Sequence, residues 1–405
     1  MVRFIHTADL HMDRAFEGIQ PKNQEFGNLL EKAKRKLIEN IATVAIEEQV
    51  DFVILAGDTF HQPHSSMSFQ RVLNAQFERL QEQKIAVFMN FGNHDYYEPN
   101  RYWYDVPENV HLFINEAVET VPFVTKNQEK VAISSFSYNH RWLNEEKVLE
   151  FPAKNMLETD FQVGIYHGEA GNITQSGQSY APFSVTQMQA KNYDYWALGH
   201  IHVPTDMSGD KRVQYSGTPQ GHTRKETQIG GVLLVELTKT SFETNFIPVA
   251  EVSWVREEIS LKDIENLSSA LAKLRQVVKR KIEETDKLVL LQLDLFDVAQ
   301  FGSDFVQKVE EGELADELEQ LFPTRLQISK IKLKGTTSEE EKIVLPVNRQ
   351  TVEENLRKLA DDFEGNPQFL PLFEKMELNI DEEWKASVLE QVKESFFDKF
   401  EVEEG

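Results

Sequence analysis

Short apolar runs alternate with longer stretches of helical period over roughly the first 250 residues. The runs lie at Val2–His6, Phe52–Ala56, Ile85–Asn90, Val131–Ser135, Gln162–Tyr166, Tyr195–Leu198, Arg212–Tyr215, Gly231–Glu236 and Glu243–Pro248. They are short and rich in β-branched and aromatic residues, which marks strands with at least one buried face. Amphipathic stretches near Asn28–Glu48, and from a Ser66 or Ser68 cap to about Gln83, predict helices between the early strands. Strands first separated by helices and then closely spaced predict a layered α/β domain of two packed sheets with helices outside.

After Val249 the pattern changes. Ser253–Ile259, Leu288–Leu295 and Leu326–Lys334 read as strands, with helices over Lys262–Glu284 and Ser303–Gln320 between them. That β-α-β-α-β unit predicts a smaller second domain. A polar, charged stretch, Thr336–Lys342, precedes a tail whose apolar spacing over Val352–Phe400 predicts two or three amphipathic helices. The expected division is 1–250, 251–335 and 336–405.

The chain has 405 residues, a net charge of −24 and no Cys. The length favours more than one domain, and thiolate ligands and disulfides are excluded. Residues 350–405 alone hold 16 acidic and 6 basic residues. Such acidity argues against a free-standing, high-affinity nucleic-acid binder. It leaves room for a nucleic-acid enzyme, because bound divalent cations supply local positive charge. No apolar run reaches the ~18–20 residues of a membrane span, and the start does not resemble a signal peptide. A soluble, cytoplasmic protein that avoids membranes is the expectation.

Polar islands follow five of the apolar runs: Asp9-Leu10-His11, Gly57-Asp58, Gly92-Asn93-His94-Asp95, His167-Gly168 and Gly199-His200-Ile201-His202. Oxygen and imidazole donors of this kind suit hard-to-borderline divalent ions. Asp58, in a strand-end loop, is the natural bridging carboxylate. His200 and His202 lie two apart, so on an extended segment they point the same way and reach two adjacent metals. Asn93 adds a neutral carbonyl oxygen. Any one island has an ordinary reading as a solvated loop or a satisfied histidine; the ordered set of five points to a two-metal centre.

This ordered set resembles the calcineurin-like metallophosphoesterase superfamily over residues 1 to about 250. The resemblance implies an αββα sandwich and a hydrolase of phosphoesters. It implies that Asp9, His11, Asp58 and His202 hold one metal, and that Asp58, Asn93, His167 and His200 hold the other. His94 is implied beside the scissile phosphate as acid or transition-state stabiliser, with His61 touching it. Asp95 either orients His94 or stabilises the loop. His6-Thr7-Ala8-Asp9-Leu10-His11, Gly57-Asp58-Thr59-Phe60-His61 and Tyr215-Ser216-Gly217-Thr218-Pro219-Gln220-Gly221 resemble the SbcD-like DNA-repair nuclease branch, the YhaO-type exonucleases most of all. Leu10 departs from the Trp usual in SbcD. Asp58 is not followed by the Asp-Arg-Gly of the protein phosphatases, which argues against that activity.

The nuclease resemblance implies a DNA substrate, manganese as the metal (with iron, zinc or magnesium as alternatives), a homodimer and an SMC-like coiled-coil ATPase partner. It makes 251–335 a small α+β capping domain and the helical C-terminal tail a partner-binding element; the tail's other reading is packing on its own chain. Lys330, Lys332 and Lys334 alternate on one strand face and Lys279-Arg280-Lys281 form a second basic cluster. Either tracks phosphates or is a solvated face. Tyr96 and Tyr97, with Tyr102, Trp103 and Tyr104, either stack on unpaired bases or pack. A hydrolase of small phosphodiesters or nucleotides, and a non-catalytic regulatory subunit of an ATPase complex, are the competing functions.

Overall fold

The structure is a computed structural model. It describes residues 1–334, 343–362, 388–389, 392–393 and 400–403, apart from 22, 63–64, 100–104, 172–178 and 228–229. The chain divides into two compact units, Met1–Leu333 and Lys334–Gly405.

Two six-stranded sheets dominate the first unit. In one, β1 (Val2–Thr7), β2 (Phe52–Ala56), β3 (Ala86–Asn90) and β4 (Val110–Leu112) run parallel. The antiparallel β11 (Gly231–Leu237) and β12 (Phe242–Pro248) extend it beyond β1. The other sheet has the order β5 (Glu119–Val124), β6 (Lys130–Ser135), β7 (Phe161–His167), β8 (Tyr195–Gly199), β10 (Val213–Tyr215), β9 (Thr205–Asp206). Its four inner strands are parallel and its two edges antiparallel.

Side-chain alternation sorts the faces. Phe52, Ile54 and Ala56 of β2 join Phe4, Val131, Ile133, Val163, Ile165 and Ala197 in the core between the sheets. Val53 and Leu55 turn the other way, onto Leu37, Ile38 and Ile41 of α1 (Gln24–Glu47) and Leu73, Phe77 and Leu80 of α2 (Met67–Glu82). The far face of the second sheet carries Tyr166 and Trp196, covered by Phe136, Phe151, Phe183 and Met188, the last from α3 (Val185–Ala190). The layers are therefore α, β, β, α. Ser66 caps α2 by accepting from the Phe69 N–H. α1 begins earlier than its apolar period predicts because Asn23 accepts from the Glu25 N–H, a cap that offsets the cost of Gly27 inside the helix. The edge strands β4, β5 and β9 had no clear signal: β4 and β9 are very short, and Pro122 in β5 is a residue confined to sheet edges.

A third sheet, ordered β13 (Val252–Ser260), β14 (Leu288–Phe296), β15 (Leu326–Lys334), packs with α4 (Leu267–Glu283), α5 (Gly302–Glu310) and α6 (Glu313–Glu319) around its own core, which includes Leu274, Val278, Leu291, Leu293 and Leu318. The single helix expected over Ser303–Gln320 is broken at Gly312, whose φ is +81°. Val252, Trp254 and Leu290 pack with Phe16, Phe26 and Leu30, so this subdomain shares a small core with the sandwich.

In the second unit β16 (Ile343–Asn348) pairs in parallel with β17 (Phe400–Glu403), and α7 (Arg349–Asp362) follows β16. Helices alone were expected there. Ile343–Asn348 is a β-branched run interrupted by Pro346, which a two-stranded ribbon tolerates. The linker Thr336–Lys342 and most of the tail beyond Asp362 lie outside the described residues. Among the described residues no helix is long and apolar enough to cross a membrane.

Candidate metal centre

The carboxyl ends of β1, β2, β3, β7 and β8 each lead into one of the five polar islands, and the islands meet. Parallel strands place their carboxyl ends on one edge, where α/β sheets bind ligands. The first two loops are laced by backbone hydrogen bonds: the N–H groups of Asp9, His11 and Met12 donate to the carbonyls of Gly57 (3.1 Å), Asp58 (3.0 Å) and Thr59 (3.1 Å). Asp9, His11, Asp58 and His200 have φ of +53°, +43°, +51° and +106°. Such backbone costs on the order of 1–3 kcal/mol per residue and collects at functional sites. Gly92 is required by contact, since a Cβ there would lie 2.2 Å from Asp58 Oδ1 and 2.7 Å from His167 Nε2.

Asp58 lies between two groups of donors. Its Oδ2 is 3.3 Å from His167 Nε2 and 4.0 Å from His11 Nε2. On one side His11 Nε2 and His202 Nε2 face each other at 3.2 Å. Asp9 belongs to this group, all three ligand atoms lying within 4.8 Å of one another. On the other side the Asn93 carbonyl oxygen is 3.0 Å from His167 Nε2 and 3.1 Å from His200 Nδ1. His167 Nδ1 donates to the Ala56 carbonyl at 2.9 Å, which turns its Nε2 lone pair inward. Asp9 accepts the His200 N–H at 3.0 Å and Asp58 the His94 N–H at 2.9 Å, so the acids also order the loops.

These groups are buried, with Asp9, His11 and His167 fully enclosed. Burial pushes the Asp9 carboxyl up to about 6, with nearby Asp58 adding to the shift. Burial would also raise Asp58, but the His167 and His94 rings reverse it and hold that carboxyl below its usual range. Burial keeps the His200 imidazole neutral, down to about 3, with His167 beside it. Burial would lower His167, but the Asp58 and Asp9 carboxylates beside it overcome that and raise its pKa to about 9. Two carboxylates, four imidazoles and one amide oxygen converging with no Lys or Arg among them form a donor set that fits divalent cations once any imidazole proton is displaced. Asp9, His11, Asp58 and His202 could hold one ion, and Asp58, Asn93, His167 and His200 the other.

His94 stands at the rim. Its Nδ1 donates to the His61 carbonyl at 3.1 Å, and the His61 ring stacks on it with centroids 4.8 Å apart. Of the two roles open to Asp95, the hydrogen bonds fit loop-holding rather than steering His94. Its Oδ1 accepts from Gly92 N–H (2.8 Å) and Asp58 N–H (3.2 Å), and its Oδ2 from Thr59 N–H (2.8 Å) and Phe60 N–H (3.3 Å). Asp95 thereby ties the second island to the third.

Residues 2–204 match the model of the calcineurin-like phosphoesterase family. The chain belongs to that family. Such phosphoesterases use a dinuclear divalent centre, in agreement with the donor set above. Over 388 residues, 96% of this chain and 89% of the relative, this phosphoesterase is 29% identical to a Bacillus subtilis protein described as "Uncharacterized metallophosphoesterase YhaO". It also matches a solved structure, "GAP50 the anchor in the inner membrane complex of Plasmodium", at 14% identity and a TM-score of 0.36, covering 61% of this chain and 84% of that one.

One residue of the site carries no signal in the sequence. Glu226 accepts from His202 Nδ1 at 2.5 Å. It lies five residues beyond the Pro219-Gln220-Gly221 run, in a stretch without periodic pattern. The candidate DNA contacts are more dispersed. Tyr97 packs against Phe91, with ring centroids 5.3 Å apart, and Tyr96 against the outer core of the second sheet. Tyr102, Trp103 and Tyr104 lie outside the described residues. Lys330 is exposed and Lys332 and Lys334 half-buried, with Ile331 and Leu333 turned to the subdomain core. Lys279, Arg280 and Lys281 form ion pairs with Glu283, Glu284 and Glu257 of their own subdomain.

Proposed function

We propose that this phosphoesterase hydrolyses phosphodiesters, with DNA as the substrate and manganese as the metal, acting as a nuclease in DNA repair. The observation that carries the hydrolase part is the convergence of Asp9, His11, Asp58, Asn93, His167, His200 and His202 on one sheet edge, with His94 beside them. When bound, a pair of divalent ions supplies an acidified water as nucleophile and neutralises charge on the phosphate oxygens. The protein's own part is positioning and proton transfer. His94 Nδ1 is held by the His61 carbonyl, so the ring is oriented and Nε2 delivers the proton to the leaving oxygen. The stacked His61 ring limits rotation of His94.

The DNA part rests on the likeness of the His6–His11, Gly57–His61 and Tyr215–Gly221 runs to the nuclease branch. The added subdomain packed beside the sandwich and the exposed Lys330 edge suit a phosphate backbone. The same likeness makes an SMC-like coiled-coil ATPase the partner, docking on residues 336–405, and a second copy of the chain the dimer partner. Small phosphodiesters are the alternative substrate.

End-labelled single- and double-stranded DNA, a cyclic nucleotide and a chromogenic diester are incubated with the Mn2+-loaded protein. Degradation of DNA is expected, abolished in Asp58→Ala. His94→Asn is expected to retain its fold and metal content and to lose on the order of 10²–10⁴-fold in rate. Turnover of the small diesters with DNA left intact would sink the nuclease assignment, and normal turnover by His94→Asn would sink the role of His94.

A further inference from the structure

We infer that Glu226 is a positioning residue that makes the two metal sites unequal, its carboxylate strengthening the site formed by Asp9, His11, Asp58 and His202. The inference rests on the metal-centre reading and adds a residue to it. His202 Nδ1 donates to Glu226 Oε1 at 2.5 Å. That bond fixes the tautomer and turns the Nε2 lone pair inward, where it faces His11 Nε2 at 3.2 Å. A carboxylate behind a metal-binding imidazole sets ring orientation and raises the basicity of the opposite nitrogen.

Glu226 is itself held. Its Oε2 accepts from the N–H groups of His222 (2.7 Å) and Thr223 (2.9 Å), so both oxygens are committed and the carboxylate does not swing away. Gln220 anchors the start of this loop. Its Oε1 accepts from Val252 N–H and its Nε2 donates to the Val252 carbonyl, both at 3.0 Å, while Trp254 Nε1 donates to the Gly221 carbonyl at 2.9 Å. Gln220 is 1% exposed, a buried amide whose hydrogen bonds fasten the loop to β13. The Pro219-Gln220-Gly221 run thus fixes the loop that delivers Glu226 to the back of His202.

The other site is supported differently. His167 leans on a neutral partner, the Ala56 carbonyl at 2.9 Å. One imidazole is therefore backed by a full negative charge and the other by a dipole. The carboxylate-backed site is the tighter of the two.

Metal-free protein is titrated with Mn2+ alone by calorimetry, comparing wild type with Glu226→Gln. The glutamine keeps the size but turns an amide NH2 toward backbone donors or toward His202. The wild type is expected to show two unequal sites. The variant is expected to lose about 10–100-fold in affinity at the tighter one, with the weaker unchanged. Unchanged affinities, or equal loss at both sites, overturn the inference. If the wild type takes up no Mn2+, the metal-centre reading itself fails, a distinguishable result. Should the variant not fold, 15N-histidine NMR of the Zn2+-loaded wild type decides. A strongly hydrogen-bonded proton on His202 Nδ1 is expected, and a metallated Nδ1, or no such proton, overturns the proposal.

Discussion

His222 is 2% exposed, and among the described residues neither of its ring nitrogens meets a hydrogen-bond partner. The ring stacks on Phe16 with centroids 5.3 Å apart. Burial, with Arg14 adding to it, lowers its pKa from the usual 6.5 to about 3. A group whose folded pKa lies below its unfolded value favours the folded state above the unfolded pKa. That stability is lost as pH falls from 6.5 toward 3, because the unfolded chain takes up the proton first. His222→Phe keeps the stack on Phe16 and removes the proton. The backbone N–H that Glu226 accepts is untouched. Urea denaturation of metal-free protein between pH 4.5 and 6 is expected to show the variant's pH slope shallower by one proton, about 1.4 kcal/mol per pH unit. An unchanged slope would mean that the imidazole is protonated in the folded state. Residues of this kind mark the limit of what a sequence pattern discloses. Asp9, His11, Asp58, Asn93, His167, His200 and His202 announce themselves because each follows an apolar run. Glu226 and His222 sit in an irregular loop and matter only through what the fold brings beside them.

At the scale of elements, the site depends on how closely β2 and β8 approach across the sandwich. Gly199, the last residue of β8, leaves no room for a side chain: a Cβ would lie 1.9 Å from the Ala56 carbonyl oxygen. That oxygen is the one His167 Nδ1 donates to. Because the obstacle is backbone, Gly199→Ala must push β8 away from β2 or displace the carbonyl that sets the His167 ring. Overpacking of this type costs on the order of 1–3 kcal/mol. We expect a lower melting temperature together with weakened Mn2+ binding, read by thermal denaturation and calorimetry on the same sample. A stable variant with unchanged metal affinity would show that the close approach is not needed. The strands that carry the islands were legible because buried parallel strands are short apolar runs. The edges β4, β5 and β9 were not, since they are very short or, in β5, hold a proline. Helix starts at Asn23 and Asn266 shifted from their expected places for one reason: a side-chain cap sets the first turn, while hydrophobic spacing sets only the face.

At the scale of the molecule, every residue assigned to chemistry lies in the first compact unit, Met1–Leu333. Its two sheets, the third sheet and the loop from Gln220 to Glu226 close on one another through the cores around Phe4 and Phe52 and around Phe16 and Trp254. The second unit, Lys334–Gly405, contributes none of the donors and holds β16, β17 and α7. Its acidity, 16 acidic against 6 basic residues over 350–405, is poorly suited to a DNA backbone and well suited to a basic protein surface. On the function proposed above, the first unit carries the hydrolysis and the second the docking of the partner. A chain ending at Lys334 is expected to keep its melting transition, its Mn2+ stoichiometry and its turnover of a chromogenic diester within about twofold of the full chain, a span worth less than ~0.5 kcal/mol in activation energy. If the proposed partner docks there, the full chain is expected to co-purify with an SMC-like ATPase and the truncated chain is not. Loss of Mn2+ binding on truncation would place part of the centre's support in the tail, and retained co-purification would move the docking surface to the sandwich or the third sheet.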